Sequence, residues 1–144
     1  MNADLPPDLC IIGGGPSGFS LALGVAACGR SVVLVEKGAL GGRRLTDAIP
    51  RHALLAASRA ATSARGADGF GIAVAEPQID FARVRPHAAA VRAAIAPNYT
   101  QARLAAMNVK VIRAAGRFSR PDTCEAGGEK IKARRFVVAT GSVE

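Results

Sequence analysis

Tryptophan is absent from these 144 residues, tyrosine occurs once, and aromatic residues together make up 4%. No base-stacking motif can be assembled from so few flat side chains, so an aromatic nucleic-acid platform is excluded. Cysteine is nearly as scarce. Cys10, Cys28 and Cys124 are an odd set without a C-x-x-C pair, which excludes a closed disulfide framework and predicts a reducing, cytoplasmic setting. The two histidines, His52 and His87, join no Cys/His cluster, and no metal site is expected.

Charge is present but uneven. Arginine supplies 15 of the 19 basic residues, and the formal net charge is +8. Residues 1–42 hold Arg30 and Lys37 against Asp4, Asp8 and Glu36, which leaves 17 bases and 8 acids in the remainder. Because the arginines are scattered rather than clustered, no nucleic-acid partner is predicted. One long uncharged run, Leu9 to Gly29, has 21 residues and is long enough to span a membrane. Gly13-Gly14-Gly15-Pro16-Ser17-Gly18 interrupts it, and Asp4 and Asp8 precede it in place of a basic leader, so no membrane anchor is expected. With 49% hydrophobic and 21% charged residues, the composition is that of one packed domain rather than a disordered chain.

The apolar run Leu9-Cys10-Ile11-Ile12, ended by glycines, predicts a strand buried on both faces. From Pro16 a helical stripe of Phe19, Ala22, Leu23, Ala26 and Ala27 runs to a stop at Cys28-Gly29. A second strand follows over residues 31–35, so strand, helix and strand make one parallel βαβ unit. Residues 38–51 read as a loop, and His52 to about Arg65 as an alanine-rich helix. A glycine-bearing connection follows, with a short strand at Ile72-Ala73-Val74. Asp80 is placed to cap a helix carrying Phe81, Val84, Ala88, Val91 and Ile95, which Pro97 stops. A short helix over residues 100–107, a strand over 109–112, an antiparallel meander over 117–132 and a last strand over 135–139 complete the chain. The predicted class is α/β: a Rossmann-like parallel sheet with flanking helices and a small antiparallel β-meander. Cys10 and Cys28 are expected in the core and Cys124 nearer the surface, all three in structural roles.

The chemistry concentrates in Gly13-x-Gly15-x-x-Gly18, set between a strand and a helix, with Ala22 further on and Glu36 ending the next strand. Gly13 permits a tight turn, Gly15 lets backbone approach a pyrophosphate, and Gly18 with Ala22 lets the helix lie close to the sheet. The helix head then offers unpaired N–H groups and the positive end of its dipole to phosphate. Glu36 can accept two ribose hydroxyls, and its carboxylate would repel a 2′-phosphate. The motif alone does not separate FAD from NAD.

The run from Asp8 to Gly18, the Val35-Glu36-Lys37 strand end and Ala139-Thr140-Gly141-Ser142 resemble an FAD-binding domain. Gly41-Gly42, Ile49-Pro50 with Ala53-Leu54-Leu55, the stretch from Ile79 to Val84, and Ala133 to Val138 fit the same pattern in the same order. The family so resembled is the pyridine nucleotide-disulfide oxidoreductases, nearest to dihydrolipoyl dehydrogenases and mercuric reductase-like enzymes. The resemblance implies FAD as cofactor, with Gly13, Gly15, Pro16, Ser17 and Gly18 at its pyrophosphate and Glu36 on the adenosine ribose. It further implies Lys37 beside the adenine, Gly42 and Arg43 near the phosphates, Gly116 offering backbone to the adenine, and Thr140-Gly141 closing over the dinucleotide. His52 replaces a lysine that family members place near the flavin.

Two departures qualify that picture. Family members carry a C-x-x-x-x-C pair after Gly-Gly. Here Arg44 holds the first cysteine position, Ala48 stands near the second, and the loop is one residue short. No thiol lies between Cys28 and Cys124, so flavin–disulfide exchange is not expected, and no catalytic residue is identified. The chain also stops just after Ser142, where family members continue into NAD(P)-binding and dimerisation domains. Residues 1–144 are therefore expected to be a truncated FAD-binding domain of an NAD(P)H-linked flavoprotein oxidoreductase, with NAD(P)H a partner only if a second domain is supplied. The alternative is a non-catalytic nucleotide-binding module or an inactive remnant, prone to self-association through an open sheet edge.

Overall fold

A computed structural model describes residues 5–142, which form two compact units. One unit is built from the residues up to Gly42 together with those from Asn98 onward; the other is Arg43–Pro97.

In the first unit, strands β1 (Leu9–Ile12), β2 (Val32–Val35), β3 (Lys110–Ile112) and β7 (Phe136–Val138) form one sheet in the order β3-β2-β1-β7. All three pairings are parallel: Leu9 lies beside Val32, Val33 beside Lys110, and Cys10 beside Phe136. Side chains alternate across a pleated strand, so β1 and β2 feed two cores. Leu9, Ile11, Val32 and Leu34 pack with Phe19 and Ala22 of helix α1 (Pro16–Ala27) and Leu104 of helix α4 (Gln101–Ala106). Cys10, Val33, Val35 and Ile112 pack on the other face with Ala126, Ile131 and Ala133. Those partners belong to or border an antiparallel meander of β4 (Arg117–Arg120), β5 (Thr123–Ala126) and β6 (Glu129–Lys132). The α/β class and the parallel sheet are as the hydrophobic pattern predicts.

The amino ends of β1, β2 and β7 are tied by one carboxylate. Asp8 accepts from the Ser31 backbone N–H and hydroxyl, both at 3.1 Å, and from Arg134 Nη1 at 3.0 Å. These bonds, the Ser31 backbone bond foremost, hold the Asp8 carboxyl below the usual aspartate range.

The second unit is helical and departs from expectation at its start. Helical backbone begins at Arg43, passes through a wide π-type turn over Arg44–Ala48, and continues as α2 (Ile49–Arg65). Residues 38–51 are thus not the continuous loop that Gly41-Gly42 and Pro50 imply. Pro50 has no N–H for the carbonyl four residues back, and the ladder widens just before it, where the Ile49 N–H reaches back to Arg44. Proline therefore sits in a continuing helix instead of ending a loop. The expected strand at Ile72-Ala73-Val74 is also missing; the segment runs without a ladder partner after Gly71 in the left-handed region. Asp80 caps α3 (Phe81–Ile95) as predicted, its carboxylate accepting from the Ala82 N–H at 2.9 Å. A 3-10 turn, Ala96–Asn98, carries the chain through Pro97.

Two cysteine assignments are reversed. Cys28 ends α1 and is exposed, whereas Cys124 is buried under the meander beside Gly116. Neighbouring tertiary structure decides this, because alternation in a four-residue strand does not say which face is covered. Burial raises the Cys124 thiol and pushes that of Cys10 up to about 12.

Two measurements follow from these contacts. Asp8→Asn should lower the thermal midpoint at pH 7. An acid whose folded pKa is depressed stabilises the fold above its unfolded value of about 3.9, and the contribution is lost as pH falls through the lower folded value. The deficit of the variant in circular-dichroism melts should therefore shrink towards pH 3. A thiol reagent of the Ellman type should label Cys28 rapidly in the native protein and reach Cys10 and Cys124 on the timescale of unfolding.

Candidate functional site

The carboxyl ends of the parallel strands converge on the turn that leaves β1. Gly13 follows Ile12 with φ +110°, a conformation costly for any residue with a side chain. A Cβ there would lie 2.3 Å from the carbonyl oxygen of Ala139, the residue after β7. A Cβ on Gly18 would lie 1.9 Å from the Gly13 carbonyl oxygen. Both glycines are thus required by close backbone approach: Gly13 to let the end of β7 come down, Gly18 to let α1 lie against the turn.

Gly15 differs. It caps α1 in ordinary extended geometry, and a Cβ built on it meets nothing within 4 Å. Open space therefore lies at the head of α1. Pro16 opens the helix, and no side chain caps it, so the first-turn amides of Ser17 and Gly18 have no acceptor within the helix. A bare corner backed by uncapped amides and a positive dipole end suits a diphosphate.

Glu36 stands at the tip of β2, half-buried. Its Oε2 accepts from the Gly14 N–H at 2.5 Å and its Oε1 from the Gly38 N–H at 2.6 Å. A carboxylate offers about four lone-pair sites, so each oxygen retains capacity for a sugar hydroxyl. Lys37 beside it is exposed. Gly116 follows β3, where a Cβ would meet Cys124 Sγ at 3.2 Å and Val35 Cγ1 at 3.3 Å. Its backbone is pressed onto the β2 end of the sheet. Thr140 and Gly141 continue from β7 and are exposed, after a last ladder bond from the Ala139 N–H to Ile12 at 2.7 Å. Gly42 has φ +50°, and a Cβ on it would lie 3.3 Å from the Cα of Gly15.

Gly13, Gly15 to Gly18, Glu36, Lys37, Gly42, Gly116, Thr140 and Gly141 thus all belong to the first unit and follow its strands or open α1. Arg43 and His52 belong to the helical unit. His52 is exposed on α2, and Arg43 lies 3.6 Å from Asp47, which also binds Arg51 at 2.7 Å. The Arg51 hydrogen bond, then the charges of Arg51 and Arg43, lower the Asp47 carboxyl.

Sequence reading passed over Gly14 and Leu40. A Cβ on Gly14 would lie 2.8 Å from Leu40 Cδ2 and 3.1 Å from Glu36 Cβ. The available signal was Leu40 itself, an isolated large apolar residue among the glycines of residues 38–42. Among the described residues no group of three or more metal-ligating side chains is assembled, and no helix is long and apolar enough to cross a membrane.

A parallel sheet in the order β3-β2-β1-β7, a glycine corner at the head of α1 and an acid at the tip of β2 define a Rossmann-type dinucleotide-binding domain. Comparison with known proteins narrows the class. The profile of the family described as pyridine nucleotide-disulphide oxidoreductase matches residues 7–144, and the chain belongs to that family. It is 34% identical over 139 residues to a dihydrolipoyl dehydrogenase of Thermus scotoductus, covering 94% of this chain and 29% of that protein. It is 31% identical over 152 aligned positions to a dihydrolipoyl dehydrogenase of Vibrio cholerae, covering 99% and 31%. A mercuric reductase of Streptomyces lividans is 45% identical over 76 residues, covering 51% and 16%. The chain spans about three-tenths of the length of the dihydrolipoyl dehydrogenases it matches over nearly its whole length. Proteins of this family are FAD-dependent flavoproteins.

The three glycines should separate under substitution. Gly13→Ala and Gly18→Ala should each destabilise the fold by about 2 kcal/mol or more in urea melts, since backbone atoms would have to move. Gly15→Ala should stay within about 0.5 kcal/mol of the parent, because its Cβ points into open space.

Proposed function

We propose that this chain is the FAD-binding portion of an NAD(P)H-linked flavoprotein oxidoreductase that works without the family's active-site disulfide. The observation that carries the reading is the vacant volume at Gly15, where a Cβ would have no neighbour within 4 Å, directly at the uncapped head of α1. FAD, when bound, supplies reversible hydride and electron chemistry. The protein's part is binding and orientation. The amides of Gly15, Ser17 and Gly18 would hold the pyrophosphate, with Gly13 and Pro16 shaping the turn. Glu36 would take the adenosine ribose, Lys37 and Gly116 would flank the adenine, and Thr140-Gly141 would close the crevice. Gly42 and Arg43 are assigned to the phosphates and His52 to the flavin.

Arg44 and Ala48 fall in the π-type turn, where the family's cysteine pair is expected. With no cysteine between Cys28 and Cys124, these residues supply no dithiol relay, and acceptors that need none, such as a quinone or dioxygen, are the favoured class. NAD(P)H would dock on a further domain rather than on these residues. The three cysteines are unpaired thiols, in keeping with a reducing, cytoplasmic setting. No nucleic-acid or membrane partner enters this reading.

A second reading, a nucleotide-binding module without catalysis, is favoured by the edge of the sheet. β7 pairs with β1, and its Val138 is 65% exposed in a strand without charged residues, an arrangement that invites self-association.

Titration of the purified chain with FAD separates the two. Binding should quench flavin fluorescence and shift the visible bands. Gly15→Ala should weaken it by at least about tenfold, a cost of about 1.4 kcal/mol, while leaving the urea midpoint unchanged. A folded, colourless chain that ignores added FAD would end the flavoprotein reading.

A further inference from the structure

We propose that Leu40 is a positioning residue for the dinucleotide site: its buried side chain pins the strap of residues 38–42 across the glycine turn and sets the turn's amides before any ligand arrives. The inference rests on the reading of this corner as a cofactor site, but its geometry stands on its own.

The strap leaves β2 and crosses the turn at three points. At its start the Gly38 N–H donates to Glu36, whose other oxygen accepts from Gly14. In its middle the Gly41 N–H donates to the Gly14 carbonyl at 2.8 Å. At its end Gly42, with φ +50°, approaches Gly15 so closely that a Cβ would lie 3.3 Å from the Gly15 Cα. Three of its five residues are glycine, the residue with the most freedom to lose, and Ala39 is exposed. Leu40 is the strap's one large side chain. It is 7% exposed, packs in the core of Leu9, Ile11, Phe19 and Ala22, and covers Gly14.

The division of labour is physical. Glu36 ties strap to turn through hydrogen bonds that water can replace. Leu40 ties it through apolar burial, which water drives rather than replaces. A Cβ on Gly14 would press on Leu40 Cδ2 at 2.8 Å and on Glu36 Cβ at 3.1 Å. A strap held shut keeps Gly15 and Gly42 opposed, so a ligand finds the crevice assembled rather than having to close it. Where the competent state is populated only one part in ten, apparent affinity falls tenfold.

The test uses the full chain in three variants: Leu40→Ala, Leu40→Met and, as a control in the same core, Leu104→Ala on α4. Amide hydrogen exchange is read without cofactor, as the rate at Gly41 divided by the rate at Leu34 in β2. Leu40→Ala should raise that ratio by about tenfold, and Leu40→Met should restore it. Leu104→Ala should lower the melting temperature while leaving the ratio near the parent value. In parallel, flavin fluorescence should give an apparent Kd for FAD about tenfold weaker for Leu40→Ala, and near parental for Leu40→Met and Leu104→Ala. An unchanged Gly41 ratio in Leu40→Ala would overturn the proposal. So would equal loss of FAD affinity in Leu40→Ala and Leu104→Ala, which would mark a general loss of core. If Leu40→Ala does not fold, Leu40→Val, which shortens the same side chain, is read by the same ratio. Should the parent chain bind no FAD while the Gly41 ratio still rises in Leu40→Ala, the strap stands and the cofactor assignment falls.

Discussion

Two backbone approaches at the first turn leave no room for a side chain. A methyl group on Gly18 would sit 1.9 Å from the Gly13 carbonyl oxygen, and one on Gly13 would sit 2.3 Å from the Ala139 carbonyl oxygen. Backbone cannot swing aside as a side chain can. The exit of β1, the entry of α1 and the end of β7 therefore meet only because these positions are bare. That meeting turns the head of α1 towards open space at Gly15 and brings the exposed Thr140-Gly141 segment out of β7 beside the turn. The open space at Gly15 follows from what the turn lacks.

The same corner depends on one acid used twice. Glu36 takes the N–H groups of Gly14 and Gly38, one on each oxygen, and so links the turn after β1 to the strap after β2. Backbone donors fix the direction of the carboxylate, and each oxygen keeps spare acceptor capacity. A residue that first reads as a ligand hook is also part of the frame. At the opposite end of the sheet Asp8 plays the corresponding part, joining Ser31 and Arg134 across the strands that flank β1.

The helical unit illustrates a different balance. Arg43, Asp47 and Arg51 form a charged row along the helix start, spaced four residues apart, with contacts of 3.6 Å and 2.7 Å to the shared carboxylate. Such exposed pairs contribute little stability singly, and salt screens them. No cysteine lies between Cys28 and Cys124, so the turn that carries this row is ionic and holds no thiol.

Much of this was legible in one dimension. Leu9 to Ile12 and Val32 to Val35 are apolar throughout, which only a strand covered on both faces tolerates, and both are so covered. The spacing of Gly13, Gly15 and Gly18 marked the turn, because backbone approach leaves no room for a side chain at Gly13 and Gly18. The Asp80 cap was equally readable, since capping is local chemistry. What tertiary structure alone decided is non-local. Ile72 to Val74 reads as a strand until no neighbour is found to pair it, and Cys124 reads as exposed until the meander folds its face against Gly116. Leu40 carries no meaning in a glycine-rich loop until the chain returns over Gly14 and gives that side chain a core to enter. A residue's local preferences are written in the sequence; which surface comes to cover it is settled when distant segments meet.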